Sequence, residues 1–168
     1  NTKKIVTAAG IAAGTAAVAS LYAYVTIKAL IDTALDREMP KVMEKADKRI
    51  SGEKSSDEFT NRMESASESL AVQPNETVEI IAHDGEKLVG HYFPCEKPER
   101  VIIAFHGWRS SWHRDFGMIS DFWYKNNCSV LYVEQRGQNN SSGEYMGFGL
   151  TERFDCLDWL NWEIERCG

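Results

Sequence analysis

Residues 101–111 read VIIAFHGWRSS: five apolar residues in a row, a His-Gly pair, a Trp, then a polar tail. An apolar run that does not alternate asks for cover on both faces, as a central strand of a mostly parallel sheet has. Gly107 then supplies a residue without Cβ, so the chain can turn sharply and backbone N–H groups can approach a reacting atom. His106-Gly107-Trp108 would thus stand outside the carboxyl end of a parallel strand, where open α/β sheets build their sites. The dipeptide by itself reads more simply as a strand-to-loop turn.

The neighbouring segments extend the pattern. A second apolar run, Ser129 to Val133, ends at Glu134-Gln135-Arg136-Gly137. Between the two runs Phe116, Ile119, Phe122 and Trp123 keep helical spacing. A further helix is expected from about Thr151 to Arg166, with Phe154, Leu157, Leu160 and Ile164 on one side. Upstream, Thr77 to Ala82 and Lys87 to Phe93 are β-rich and joined through Asp84-Gly85, a hairpin turn signal. Hairpin, strand, helix, strand, helix is the order of an α/β domain, expected over 73–168.

The first 31 residues differ from the rest. Lys3-Lys4 precede an uncharged stretch, 5–27, IVTAAGIAAGTAAVASLYAYVTI. At about 1.5 Å per residue it reaches the ~30 Å of a bilayer core, and Gly10 and Gly14 give it a small-residue face for another helix. The two lysines favour an inside N-terminus, which leaves the domain outside the cell membrane. Two readings compete: Ala17-Val18-Ala19 resembles a signal-peptidase site, whose use would make the domain secreted, and an Ala-rich buried soluble helix has the same composition. The chain opens with Asn rather than Met, which leaves room for a start upstream.

From 32 to 72 the sequence reads as an amphipathic helical linker. Leu35, Met39, Val42, Ala46 and Ile50 form one narrow stripe, ended by Gly52; Ser55 with Glu58 forms a capping box; Phe59, Met63, Ala66 and Leu70 form a second stripe. Such helices can be a stalk, pack on the domain or cover its site, and the stripe does not choose.

A net charge of -6, with 26% charged and 43% hydrophobic residues, argues against nucleic-acid binding, since no basic excess is available to neutralise phosphates. The cysteines at 95, 128, 156 and 167 show no C-x-x-C spacing, and the histidines at 83, 91, 106 and 113 show no metal-ligand spacing, so no metal and no cofactor is expected. Cys128 and Cys156 lie in apolar patterns and read as buried free thiols. The sequon Asn75-Glu76-Thr77 matters only in a glycosylating pathway.

Taken together, "HDGEKLVGHYF", "VIIAFHGWRSS", "VLYVEQRGQNNSSGEYMGFG" and "LTERFDCLDWLNW" resemble, in order and spacing, the first hairpin, third strand, fourth strand and following helix of an α/β-hydrolase. The third piece follows that family's D-x-R-G-x-G-x-S-x-G pattern. The resemblance is strongest to bacterial membrane-anchored or secreted members of the serine aminopeptidase-like type. Glu134 stands where the family usually has Asp, Gln138 where it often has His and Asn139 where it often has Gly, departures that leave the fold and blur the substrate.

The resemblance implies a serine hydrolase acting on a small-molecule or peptide substrate with an ester or amide bond, by acyl transfer through a Ser-His-Asp triad. It implies the Trp108 backbone N–H as an oxyanion donor, Gly107 permitting that geometry, and His106 supporting the loop rather than acting as the base. The family's nucleophile sits in a G-x-S-x-G elbow after the fifth strand. No G-x-S-x-G occurs in the 168 residues; the fifth strand is expected to begin near Gly168, and nucleophile, acid and base beyond it. Ser110, Ser111, Ser141 and Ser142 then read as turn residues, and Asp155 and Asp158 as the polar face of a helix. A non-catalytic, membrane-tethered binding or scaffold module with the same derived fold is the alternative. Trp108, Trp112 and Trp123 cluster near the loop in sequence and could line an apolar acyl pocket.

Overall fold

The structure, a computed structural model, describes residues 2–35, 45 and 58–167, with side chains described from Thr15 onward. It divides into two compact units, Asn1–Asp36 and Arg37–Gly168. The first is the helix α1 (Thr2–Leu35). Its segment Thr15–Leu35, of mean hydropathy 1.3, is long and apolar enough to cross a membrane, as a signal sequence or a buried core helix also would be. The helix runs on past Ile27, and there Lys28 and Asp32, one turn apart, pair at 3.0 Å. The capping box at Ser55 and all but Leu35 of the first linker stripe lie outside the described residues.

The second unit contains α2 (Glu58–Ala71), β1 (Glu76–Ile81), β2 (Lys87–Phe93), β3 (Arg100–Phe105), α3 (Trp112–Lys125), β4 (Cys128–Glu134) and α4 (Glu152–Cys167). The four strands form one sheet in the order β1-β2-β4-β3. The pairs β1–β2 and β2–β4 are antiparallel, and β3–β4 is parallel, with Ile103 opposite Leu131. This is a partial α/β sheet of mixed direction. The fully buried strand is β4, while β3 lies at the edge of the described strands. The apolar run of β3 nevertheless serves two cores, as its lack of alternation requires. Ile103 and Phe105 pack with Leu88, Leu131 and Trp159 on one face; Ile102 and Ala104 pack with Leu70, Trp112 and Val130 on the other.

Tyr132, 1% exposed, sits at the centre of the second core. Phe93, Trp112, Phe116 and Trp123 surround it at ring-centroid distances of 5.2, 5.5, 5.7 and 6.2 Å. Trp112 and Trp123 are therefore core residues rather than pocket lining.

The carboxyl-terminal half of the second linker stripe packs on the domain, while Phe59 and Met63 are exposed. Leu70 is buried in the core below the sheet, and α2 crosses α3 at Gly117, where a Cβ would lie 2.7 Å from backbone atoms of Ala66 and Ser67. Only a glycine permits so close a crossing. Ser67 Oγ meets His113 Nδ1 at 2.9 Å across the same interface, and burial, with help from the nearby His91 and Arg114 charges, holds the His113 ring below its ordinary pKa.

The last helix departs from its sequence pattern. Phe154, Leu157, Leu160 and Ile164 are exposed, and the face turned inward carries Glu152, Asp155, Trp159 and Glu163. Asp155 is thus buried, 2% exposed, and is not on a solvated polar face, because it faces the Arg136 guanidinium. Cys128 is a buried free thiol as expected, but Cys156 is exposed, since it lies on the outward side of α4.

Candidate functional site: the loop after strand three

The loop that leaves β3 is fixed by its own hydrogen bonds. His106 is 1% exposed. Its Nε2 lies 3.2 Å from the backbone nitrogen of Gln135, which can only donate, so Nε2 accepts and Nδ1 carries the proton. That Nδ1–H donates to the carbonyl of Gly107 at 2.8 Å. Asn139 Nδ2 adds a second donor to Nε2 at 3.1 Å, and the Gln135 side-chain amide donates to the His106 carbonyl. The nitrogen that a general base would need is already occupied, and the ring ties the end of β3 to the end of β4.

Gly107 donates its N–H to Asp115 Oδ2 at 2.6 Å, and the other Asp115 oxygen accepts the Ser110 hydroxyl at 2.5 Å. A Cβ on Gly107 would lie 3.3 Å from that carboxylate, a tight but not forbidden contact. The left-handed residue of the turn is Arg109, with φ 51°, whose N–H is taken by Gln138 Oε1 at 2.9 Å. Among the described residues the Trp108 N–H has no acceptor. The Trp108 side chain is 37% exposed, with the Arg109 guanidinium 4.1 Å from its ring centroid and the Phe148 ring at 6.1 Å.

The loop after β4 is built around buried charge. Glu134, 2% exposed, accepts from His91 Nε2 at 2.8 Å, from the Asn140 N–H at 2.5 Å and from Asn140 Nδ2 at 3.0 Å. Burial alone pushes its carboxyl up, but the His91 and Asn140 bonds together outweigh this and hold it below the ordinary range. The Ser141 hydroxyl, fully buried, donates to the Glu134 carbonyl at 2.6 Å and accepts the Val89 N–H at 2.9 Å, the turn role its position suggests. Arg136 donates to both oxygens of Asp155 and to both oxygens of Asp84 in the hairpin turn. Those bonds raise the guanidinium pKa and hold the Asp84 carboxyl down at about 2.

Further along, the backbone bends at Gly147-Phe148-Gly149. The carboxylate of Glu152, 7% exposed, accepts the Gly147 N–H at 2.5 Å and the Gly149 N–H at 2.7 Å. Phe148 between them has φ 48° and is 56% exposed. Sequence reasoning missed Asp115 and Glu152, and it named Gln138 and Asn139 only as departures from the family pattern, without their bonds to the loop after β3. The available signal was an acid in the first turn of each helix that follows a strand-end loop, placed to meet free loop amides.

Among the described residues, His83, Asp155 and Asp158 bring three ligand atoms within 4.8 Å of one another. Asp155 commits both oxygens to Arg136, and Asp158 accepts from the His83 N–H and ring at 3.0 Å, so the group is built as an ion-pair network.

No protein-family model matches the chain, and no curated protein does. Among solved structures it is similar to the Pyrococcus furiosus esterase Pf2001, at 27% identity and TM-score 0.48, over 56% of this chain and 36% of that one. It is similar to DcsB, solved with its substrate analogue, at 17% identity and TM-score 0.48, over 52% and 31%. It is also similar to the α/β hydrolase GrgF of Penicillium sp. sh18, at 25% identity and TM-score 0.37, over 43% and 25%. The chain thus spans 25% to 36% of the length of these structures. The architecture itself, a partial mixed α/β sheet, rests on the order β1-β2-β4-β3.

Proposed function

We propose that these residues form the amino-terminal part of a membrane-anchored serine hydrolase that cleaves ester or amide bonds by acyl transfer. The observation that carries this reading is the Trp108 N–H, without an acceptor among the described residues, on a tightly bonded turn at the carboxyl end of a parallel strand. A rigid amide at such a place is suited to charge that develops on a carbonyl oxygen, because it needs no reorganisation when the charge appears. In the proposed mechanism a serine beyond residue 168 attacks the substrate carbonyl. A histidine from the same later region, oriented by an acid, takes the serine proton, while the Trp108 N–H and the amide following that serine stabilise the oxyanion. The intermediate collapses by expelling the alcohol or amine with that proton, and water then cleaves the acyl-enzyme by the same route. His106 and Gly107 shape the loop and move no proton.

We also infer that α1 spans the membrane once, with 32–72 as linker and the domain from 73 onward outside the cell. Its support is the apolar length of the helix and the lysines at 3 and 4. Carbonate washing of membranes should leave the protein in the pellet. Recovery in the supernatant with an intact N-terminus removes the anchor, and recovery starting near Ser20 identifies a cleaved signal sequence.

The activity test is a fluorophosphonate probe on the full-length protein. Covalent labelling of a serine beyond residue 168 is expected. No labelling of a folded full-length protein favours the binding-module alternative.

A further inference from the structure

We propose that Trp108 and Phe148 form an apolar shelf that receives the acyl group of the substrate next to the Trp108 N–H, so that the hydrolase acts on apolar acyl chains. The inference rests on the hydrolase reading for its chemistry, but its geometry is independent of it.

Phe148 is the first reason. A side chain with a Cβ is disfavoured in the left-handed region, and for a bulky ring at φ 48° the surroundings must impose the conformation. Here they do. The buried Glu152 carboxylate takes the N–H on either side of Phe148, Gly149 turns at φ 91°, and a Cβ on Gly147 would collide with the Thr151 hydroxyl. A glycine at 148 would make the same bend without strain. The strained ring does not serve the core, since it is 56% exposed. What the bend does accomplish is to bring the ring within 6.1 Å of the Trp108 ring, which comes from a different loop.

Trp108 is the second reason. Its indole is held by the Arg109 guanidinium 4.1 Å from its centroid, itself set by a left-handed residue whose amide bonds Gln138. Two aromatic rings from two loops, each loop pinned by a strained residue and a dedicated polar side chain, are thus presented outward rather than inward. Because the shelf begins on the residue whose amide is the proposed oxyanion donor, a carbonyl bonded to that amide places its apolar substituent beside the rings. An apolar chain fits the ring faces of this surface, where a polar acyl group would lose water without gaining a hydrogen bond from the rings.

The test uses the full-length protein and the ratio of kcat/KM for p-nitrophenyl octanoate over p-nitrophenyl acetate. Phe148→Ser and Phe148→Gly should lower that ratio about tenfold, the scale of one or two methylene groups, and Phe148→Tyr should restore it. Phe148→Gly should also melt no lower than the wild type, because glycine accepts the backbone angle; a ring that matters only for structure would leave the ratio unmoved. An unchanged ratio in the Ser and Gly variants overturns the shelf. If the wild type hydrolyses neither ester, the hydrolase reading fails, and the shelf is judged by saturation-transfer NMR with octanoate. A saturation-transfer signal on octanoate that the wild type shows and Phe148→Gly abolishes then supports the shelf alone. A signal missing from the wild type, or equal in the two proteins, overturns it too.

Discussion

Asp115 Oδ2 lies 2.6 Å from the backbone nitrogen of Gly107, so the first amide of the His-Gly turn is committed to the helix that follows it. The second amide, of Trp108, has no acceptor among the described residues. Removing the carboxylate should let the turn relax, and misplacing a catalytic donor by about 1 Å costs on the order of 10²-fold in rate. On the proposed mechanism, Asp115→Ala in the full-length protein should lower kcat by about that factor with KM nearly constant. Asp115→Asn, which keeps an acceptor oxygen, should recover part of it. Steady-state kinetics of the two variants decide, and an unchanged kcat in Asp115→Ala would remove the clamp from the mechanism.

Arg136 stands between Asp84 and the buried Asp155. Arg136→Met would leave Asp155 as a buried charge without its partner, a change that costs about 3–5 kcal/mol. Urea midpoints at neutral pH should fall accordingly, and Arg136→Lys, which loses the forked geometry, should give a midpoint between those of the wild type and Arg136→Met.

The same pair gives a pH signature. The Asp84 carboxyl is held at about 2 in the folded state against an ordinary 3.8, chiefly by its bonds from Arg136. A depressed carboxylate contributes stability that is fully present above its ordinary value and is lost as pH falls through the folded one. Stability should therefore decline between about pH 4 and pH 2, and Arg136→Met should flatten the part of that decline due to Asp84. Denaturant midpoints across this range test it; an equally steep decline in both proteins would contradict it.

Gly117 permits α2 to touch α3 backbone to backbone. Gly117→Ala gains about 1 kcal/mol of helix propensity, but the added methyl meets main-chain atoms of Ala66 and Ser67 that cannot rotate away. Overpacking of this kind costs ~1–3 kcal/mol, so net destabilisation is expected, larger for Gly117→Val. At this domain size each kcal/mol lowers the melting temperature by about 4–8 °C. A rise in melting temperature for Gly117→Ala would show that the crossing opens without cost.

The edge position of β3, together with the exposed Leu157, Leu160 and Phe122, predicts self-association of residues 58–168 prepared alone. Unpaired strand groups flanked by apolar side chains invite pairing with other chains. Hydrogen exchange should show slow exchange throughout β4 and faster exchange in β3, with light scattering rising with concentration. A monomer with β3 amides as protected as those of β4 would contradict this.

The element order, the hairpin and both strand-end loops were legible because local patterning determines them: VIIAF and VLYV are apolar without alternation, and Asp84-Gly85 marks its turn. What the pattern did not carry was direction. In α4 the apolar residues face outward and Asp155 inward, because a guanidinium from a loop 19 residues earlier reaches that position. In the loop after β3, His106, Gly107 and Trp108 could be singled out from residue type and order. The residues that hold them, Asp115, Gln138 and Asn139, act through side-chain bonds across loops, which leave no periodic trace in the sequence.

The crowding of rings around Tyr132 also has an optical consequence. Two of the five tryptophans, Trp112 and Trp123, lie against this one buried phenol, and Trp159 packs on Trp162 in the other core, so the near-ultraviolet dichroism of the domain should be strong and come from two fixed ring assemblies. Burial pushes the Tyr132 hydroxyl up, so its phenol stays un-ionised through the alkaline range in which surface tyrosines turn to phenolate. A state that kept its helices and strands but let these rings turn freely would retain its far-ultraviolet spectrum while losing the near-ultraviolet one. The domain thus carries a built-in spectroscopic reporter that distinguishes fixed packing from mere secondary structure, without any added label.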